Sequence, residues 1–151
     1  MLSGLAMALV LAGCGSTSAS GDLIAFVGLL DGDAEIFVMN ADGTEVRRLT
    51  DNDDADMLPI WSPDGESVAF MGGRDGDAEI FVANADGTEV RQLTDNDDAD
   101  YSPIWSPDGE SIAFTSDRYD VPEIFVMNAD GTGVYSTGQV GLPTDWGGPA
   151  D

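Results

Sequence analysis

Apolar residues along this chain come in short runs, set apart by Gly, Pro, Asn and Asp. Val68-Ala69-Phe70-Met71, Ile80-Phe81-Val82-Ala83 and Ile112-Ala113-Phe114 are examples. No stretch keeps a helical period, and the runs are rich in Ile, Val, Phe and Trp. In the middle of the chain the pattern predicts four strands, at residues 59–62, 67–71, 79–84 and 90–94. The third of these is apolar on both faces, with Ile80 and Val82 on one and Phe81 and Ala83 on the other. A sheet with one wet face alternates polar and apolar residues. Two apolar faces therefore predict a packed neighbour on each side.

The turns carry their own chemistry. Ser62-Pro63-Asp64-Gly65 suits a type I turn, because Pro presets φ at the second position and Gly follows at the fourth. Asn84-Ala85-Asp86-Gly87 suits a short hairpin whose Gly takes positive φ. Both turns recur, and so does the whole pattern, with a period of 44 residues. Glu35-Ile36-Phe37-Val38-Met39-Asn40-Ala41-Asp42-Gly43 returns at 79–87 and 123–131. Residues 31–66 and 75–110 differ at four positions only: Met39/Ala83, Arg48/Gln92, Met57/Tyr101 and Leu58/Ser102. Copies this alike read as recent duplication, so repetition alone marks no residue as functional.

A four-stranded unit of about 40–45 residues is the mark of a propeller blade. The motifs Trp-Ser-Pro-Asp-Gly, Ile-Ala-Phe, Glu-Ile-Phe-Val-Met-Asn-Ala-Asp-Gly and Arg-Arg/Gln-Leu-Thr resemble the TolB-type (WD40-like) β-propeller repeat over roughly residues 22–147. The resemblance implies a periplasmic or extracellular propeller used for protein contact. Similar repeats also form non-catalytic propellers in front of serine peptidases.

The expected fold is all-β, with blades of four antiparallel strands. The blades number about three, while closed propellers have about four to eight. The first blade begins at Asp22 and lacks the Trp-bearing first strand. Residues 142–149, around Trp146, resemble a decayed copy of that strand, with Trp146 three residues early. Two readings follow: a fragment or open arc, or a homodimer closing a six-bladed ring.

The N-terminus reads as an address. Residues 5–12 form an apolar run with the length of a signal-peptide core, far short of the about 20 residues that span a bilayer. The run leads into Leu11-Ala12-Gly13-Cys14, which resembles a prokaryotic lipobox. The expected layout is a signal peptide at 1–13, a lipidated Cys14 with a flexible tether at 14–21, repeats at 22–147 and a tail at 148–151. Residues 1–4 carry no basic residue, a departure from the usual signal.

Charge then narrows the partners. There are 29 acidic residues against five basic ones, for a net charge of −24. Such a surface repels nucleic acid and anionic headgroups. Membrane contact is therefore expected only through a lipid on Cys14. Asp51, Asp53, Asp54 and Asp56, with their copies Asp95, Asp97, Asp98 and Asp100, are candidate calcium ligands by their density of carboxylates. Their spacing does not fit an EF-hand, and solvated loops with Asx turns are the alternative. Arg74 and Arg118 are expected in ion pairs, and Trp61, Trp105 and Trp146 in the core.

The chain has no His and a single Cys. It offers no Ser–His triad and no Gly-x-Ser-x-Gly elbow. The expected function is therefore a non-catalytic, lipid-anchored module of the cell envelope that binds a protein or peptide. The alternatives are a calcium-stabilised surface protein and a propeller fragment of a larger peptidase-like hydrolase.

Overall fold

The computed structural model describes residues 22–148. Cys14 and the whole predicted signal and tether lie outside the described residues. The described chain is all-β and folds into three antiparallel sheets. Blade 1 holds β1 (Leu23–Leu30), β2 (Asp33–Asn40) and β3 (Arg47–Arg48), in that order. Blade 2 holds β4 (Asp56–Trp61), β5 (Ser67–Arg74), β6 (Asp77–Asn84) and β7 (Arg91–Gln92). Blade 3 holds β8 (Asp100–Trp105), β9 (Ser111–Ser116), β10 (Glu123–Asn128) and β11 (Tyr135–Val140). Each sheet follows chain order, so each blade is a meander.

The turn residues act as their chemistry requires. Gly65 N–H donates to Ser62 O (2.9 Å) and Gly87 N–H donates to Asn84 O (2.8 Å), closing the two repeated turns. Gly87 takes φ +84°, a region that costs a side chain roughly 1–2 kcal/mol. The inner strands β4 and β8 each carry an irregularity, between Met57 and Ile60 and between Tyr101 and Ile104. Leu58 and Ser102 take positive φ there, each just before a proline that has no N–H to give the ladder.

Two seams hold the blades together. Seam 1 buries Ile36, Val38 and Leu49 of blade 1 against Val68, Phe70, Phe81 and Ala83 of blade 2. Seam 2 buries Ala69, Ile80 and Val82 of blade 2 against Ile112, Phe114, Phe125 and Met127 of blade 3. The two-faced strand at 79–84 thus serves both seams, Phe81 and Ala83 facing one and Ile80 and Val82 the other. Burying each of the larger side chains, Ile80, Phe81 and Val82, stabilises by roughly 1.5–3 kcal/mol. Phe70 and Phe81 stack with ring centroids 5.6 Å apart, and Phe114 and Phe125 lie 5.8 Å apart at the same place in blade 3.

Two expectations need adjusting. The fourth strand of blade 2, expected at 90–94, pairs only over Arg91–Gln92. Residues 142–148, expected to resemble the Trp-bearing strand, join no sheet. They lie beside the inner strands β4 and β8 but form no ladder with either.

Candidate functional site

The acidic loops sit where one blade hands the chain to the next, and some of their side chains are engaged there. Glu35, on β2 and fully buried, accepts from Thr50 Oγ1 (2.5 Å), Asn52 N–H (3.1 Å) and Arg48 Nη2 (2.6 Å). Asn52 then donates through Nδ2 to Asp56 Oδ2 (2.6 Å) on β4. Its own Oδ1 accepts the N–H of Asp54 (2.8 Å), an Asx turn. Glu79, Thr94, Asn96 and Asp100 repeat this arrangement one blade on, with Asn96 N–H on Glu79 (3.0 Å) and Asn96 Nδ2 on Asp100 (2.8 Å). Each set ties a blade to the first strand of the next.

The predicted calcium ligands therefore divide by environment. Asp56 and Asp100 are fully buried in these networks. Asp51 is exposed and pairs with Arg48 (2.5 Å). Asp54 pairs with Arg74 (2.9 Å). Asp53, Asp95, Asp97 and Asp98 are exposed. Among the described residues, no group of three or more acidic side chains converges on one point fit for a metal ion.

Both expected Arg ion pairs form, but on different acids. Arg74, at the end of β5, reaches the loop carboxylate of Asp54, while Arg118 reaches the buried Asp100 (2.8 Å). Strand β9 ends at Ser116, so Arg118 stands on a loop and has another reach. Each guanidinium also lies over a phenylalanine, Arg74 on Phe81 at 4.8 Å and Arg118 on Phe125 at 5.2 Å.

Burial pushes the carboxyls of Asp56 and Glu79 above their ordinary values. Gln92 replaces Arg48 in this copy, so Glu79 lacks the cation that Glu35 holds. The turn carboxylates Asp42, Asp86 and Asp130 go the other way, lowered by the hydroxyls of Thr44, Thr88 and Thr132. Asp64 and Asp108 are lowered by the hydroxyls of Ser62 and Ser106. Sequence reasoning passed over the Glu35 and Glu79 networks. The signal available was the fixed spacing of Glu, Thr and Asn through each copy.

The three tryptophans meet in space. Trp61 closes β4 and packs on seam 1, and Trp105 closes β8 and packs on seam 2. Both are core residues, as expected, yet both also stay half-exposed and line an open cleft of about 350 Å³. Trp146, also expected in the core, packs on neither seam and lines the cleft with Pro63 and Pro107. An aromatic and proline surface of this kind offers flat apolar contact. With no His in the chain, no nucleophile–base pair of the Ser–His type lines it.

The chain resembles known proteins along most of its length. Its sequence matches the family model described as the TolB beta propeller domain twice, over residues 11–87 and 55–141. No curated protein matches it. Its structure resembles a putative TolB from Agrobacterium tumefaciens, with 29% identity and a TM-score of 0.69. That likeness covers 76% of this chain and 44% of the other. TolB from Acinetobacter baumannii is 22% identical with a TM-score of 0.67, over 80% of this chain and 32% of that one. Dipeptidyl peptidase 4 from Porphyromonas gingivalis is 17% identical with a TM-score of 0.64, over 81% of this chain and 18% of that one. The chain thus spans less than half the length of each. The two matches to the family model, one repeat apart and together covering most of the sequence, agree with the blades and seams, and the chain belongs to the TolB beta propeller domain family.

Proposed function

We propose that this chain is a non-catalytic binding module of the cell envelope, held to a membrane by a lipid on Cys14 and exposed on the periplasmic or extracellular side. Its partner is an envelope protein or an extended peptide. The observation that carries this reading is the cleft in which Trp61, Trp105 and Trp146 converge. Large aromatics at the mouth of a rigid scaffold are the residues that dominate peptide contacts. The family match and the lipobox-like sequence before Cys14 support the envelope setting.

A random peptide library panned against the full chain tests the binding role. Peptides are expected to be enriched on the chain and lost on Trp105→Ala. No enrichment, or peptides that bind Trp105→Ala equally well, would sink it.

The likeness to part of a dipeptidyl peptidase supports a second reading, that of blades detached from a longer hydrolase. A hydrolase domain in frame beyond Asp151 in the genome would establish it. A stop codon directly after Asp151 would end it.

A further inference from the structure

Both ends of the blade series are unfinished, and the two unfinished faces match each other. Following the repeat, Ile24, Phe26, Phe37 and Met39 of blade 1 stand where Val68, Phe70, Phe81 and Ala83 stand in blade 2. The blade 2 residues are buried in seam 1. Ile24 is 41% exposed, and Phe26, Phe37 and Met39 are only half-buried. The Phe26 and Phe37 rings keep the stacking of the other blades, at 5.6 Å. They line an apolar hollow of about 370 Å³ together with Leu29, Leu30 and Val46. At the other end, Ala113, Ile124 and Val126 of blade 3 stand where Ala69, Ile80 and Val82 stand in seam 2. Ile124 and Val126 are half-buried. The chain therefore presents, on its two outer faces, both halves of the seam it builds twice inside.

The strand edges match as well. The inner strand of blade 2, β4, covers the edge of β5, but in blade 1 nothing among the described residues covers the edge of β1. An eight-residue apolar edge strand left open is a docking edge. Residues 142–148 lie in no sheet and carry Trp146 beside Trp105, next to the inner strands. The indole nitrogens point to the same gap. Trp105 Nε1 donates to the carbonyl of Ile60 on the preceding inner strand (3.3 Å). Trp61 Nε1 is buried and has no acceptor among the described residues, because the preceding inner strand is the one that blade 1 lacks.

We infer that a second copy of this chain covers both faces, closing a two-fold ring of six blades. Blade 3 of each copy seats on blade 1 of the other, and residues 142–148 add the missing inner strand to β1 of the partner. Trp146 then faces Ile24 of the partner subunit, as Trp61 faces Val68 in the register of β4 and β5. Whole copies of a three-bladed chain give rings of three, six or nine blades. Closed propellers have about four to eight, and two copies of these three blades give six. Two-fold closure also leaves no apolar face open for further growth.

Light scattering on the full chain tests this. The expected mass is twice the chain mass of 15.8 kDa. Ile24→Glu, which changes an exposed residue, is expected to give the single-chain mass with an unchanged far-UV circular dichroism spectrum. A second variant, Cys14→Ser with Ile24→Cys and Trp146→Cys, is expected to form a covalent dimer on oxidation. A single-chain mass for the unmodified protein overturns the inference. So do an open series of larger species, a dimer that survives Ile24→Glu, and the failure of the paired cysteines to link two chains.

Discussion

Trp105 donates its indole N–H to the backbone carbonyl of Ile60, so the last residue of one inner strand is hydrogen-bonded to the inner strand before it. The bond joins blades 2 and 3 at the mouth of the cleft, beside the apolar contacts of seam 2. Replacing Trp105 with Phe keeps a ring in the seam and removes the donor. The expected loss is about 1 kcal/mol or somewhat more, since the smaller ring also gives up contact area. Urea unfolding of the variant measures it. A stability equal to the parent would show that the bond contributes nothing.

Adjacent glycines in β5 should answer differently to alanine. A methyl on Gly72 would lie 2.6 Å from Asp56 Oδ1 and 3.0 Å from the Phe81 ring. A methyl on Gly73 would meet nothing nearer than Asp54 Cβ at 3.8 Å. Gly72→Ala is expected to cost about 1–3 kcal/mol, because the methyl overpacks the buried Asp56 carboxylate and the Phe81 ring. Gly73→Ala is expected to stay within about 0.5 kcal/mol of the parent. Blade 3 carries Ser116 at the place of Gly72, and there Asp100 holds both Asn96 and Arg118. Equal melting temperatures for the two variants would contradict the packing described.

Stability should pass through a maximum on acidification. Asp56 and Glu79 have raised values in the fold, so the folded chain takes up their protons before the unfolded chain does. Their burden on the fold is relieved as pH falls from neutral toward the ordinary carboxylate range of about 4. Asp42, Asp64, Asp86, Asp108 and Asp130 have lowered values, and their contribution is lost as pH falls below that range. The self-repulsion of a net charge of −24 eases in the same direction as the first effect. Asp56→Asn separates the two, since it removes one buried charge among many exposed ones. Its melting temperature is expected to exceed that of the parent at neutral pH and to rise less on acidification. A parent-like profile in Asp56→Asn would assign the rise to surface charge alone.

Calcium should act on this chain as salt does. Asp51, Asp54, Asp56 and Asp100 already bind Asn or Arg, and no three acidic side chains converge among the described residues. Calcium and sodium chloride at matched ionic strength are expected to raise the melting temperature by the same small amount, through screening. A rise of several degrees with calcium alone would show the loops to be ion sites.

Much of the blade architecture is legible in the residues. The two-faced run Ile80-Phe81-Val82-Ala83 announces neighbours on both sides, and each face meets its own seam. The Pro-Asp-Gly and Ala-Asp-Gly turns close as their chemistry requires. The missing inner strand of blade 1 follows from the motif count, and its sheet has three strands. The acidic residues were less legible. Asp56 and Asp100 read as calcium candidates or solvated loop carboxylates, because polar type usually means exposure. In the fold Asn52 and Asn96 reach them from the same loop, each donating to Oδ2. The meeting of Trp61, Trp105 and Trp146 was hidden for another reason. Core aromatics and cleft aromatics share one residue type, and only the path of residues 142–148 brings the third indole to the other two.

The binding role rests on the cleft, and the chain offers a reporter there. Its three tryptophans all line that one space. The most direct measurement is the intrinsic fluorescence of the full chain during titration with a library-selected peptide free of tryptophan. The account predicts a saturable change in emission with the peptide and none with its scrambled sequence. Binding seen by calorimetry with unchanged emission would place the contact away from the three indoles and contradict the account.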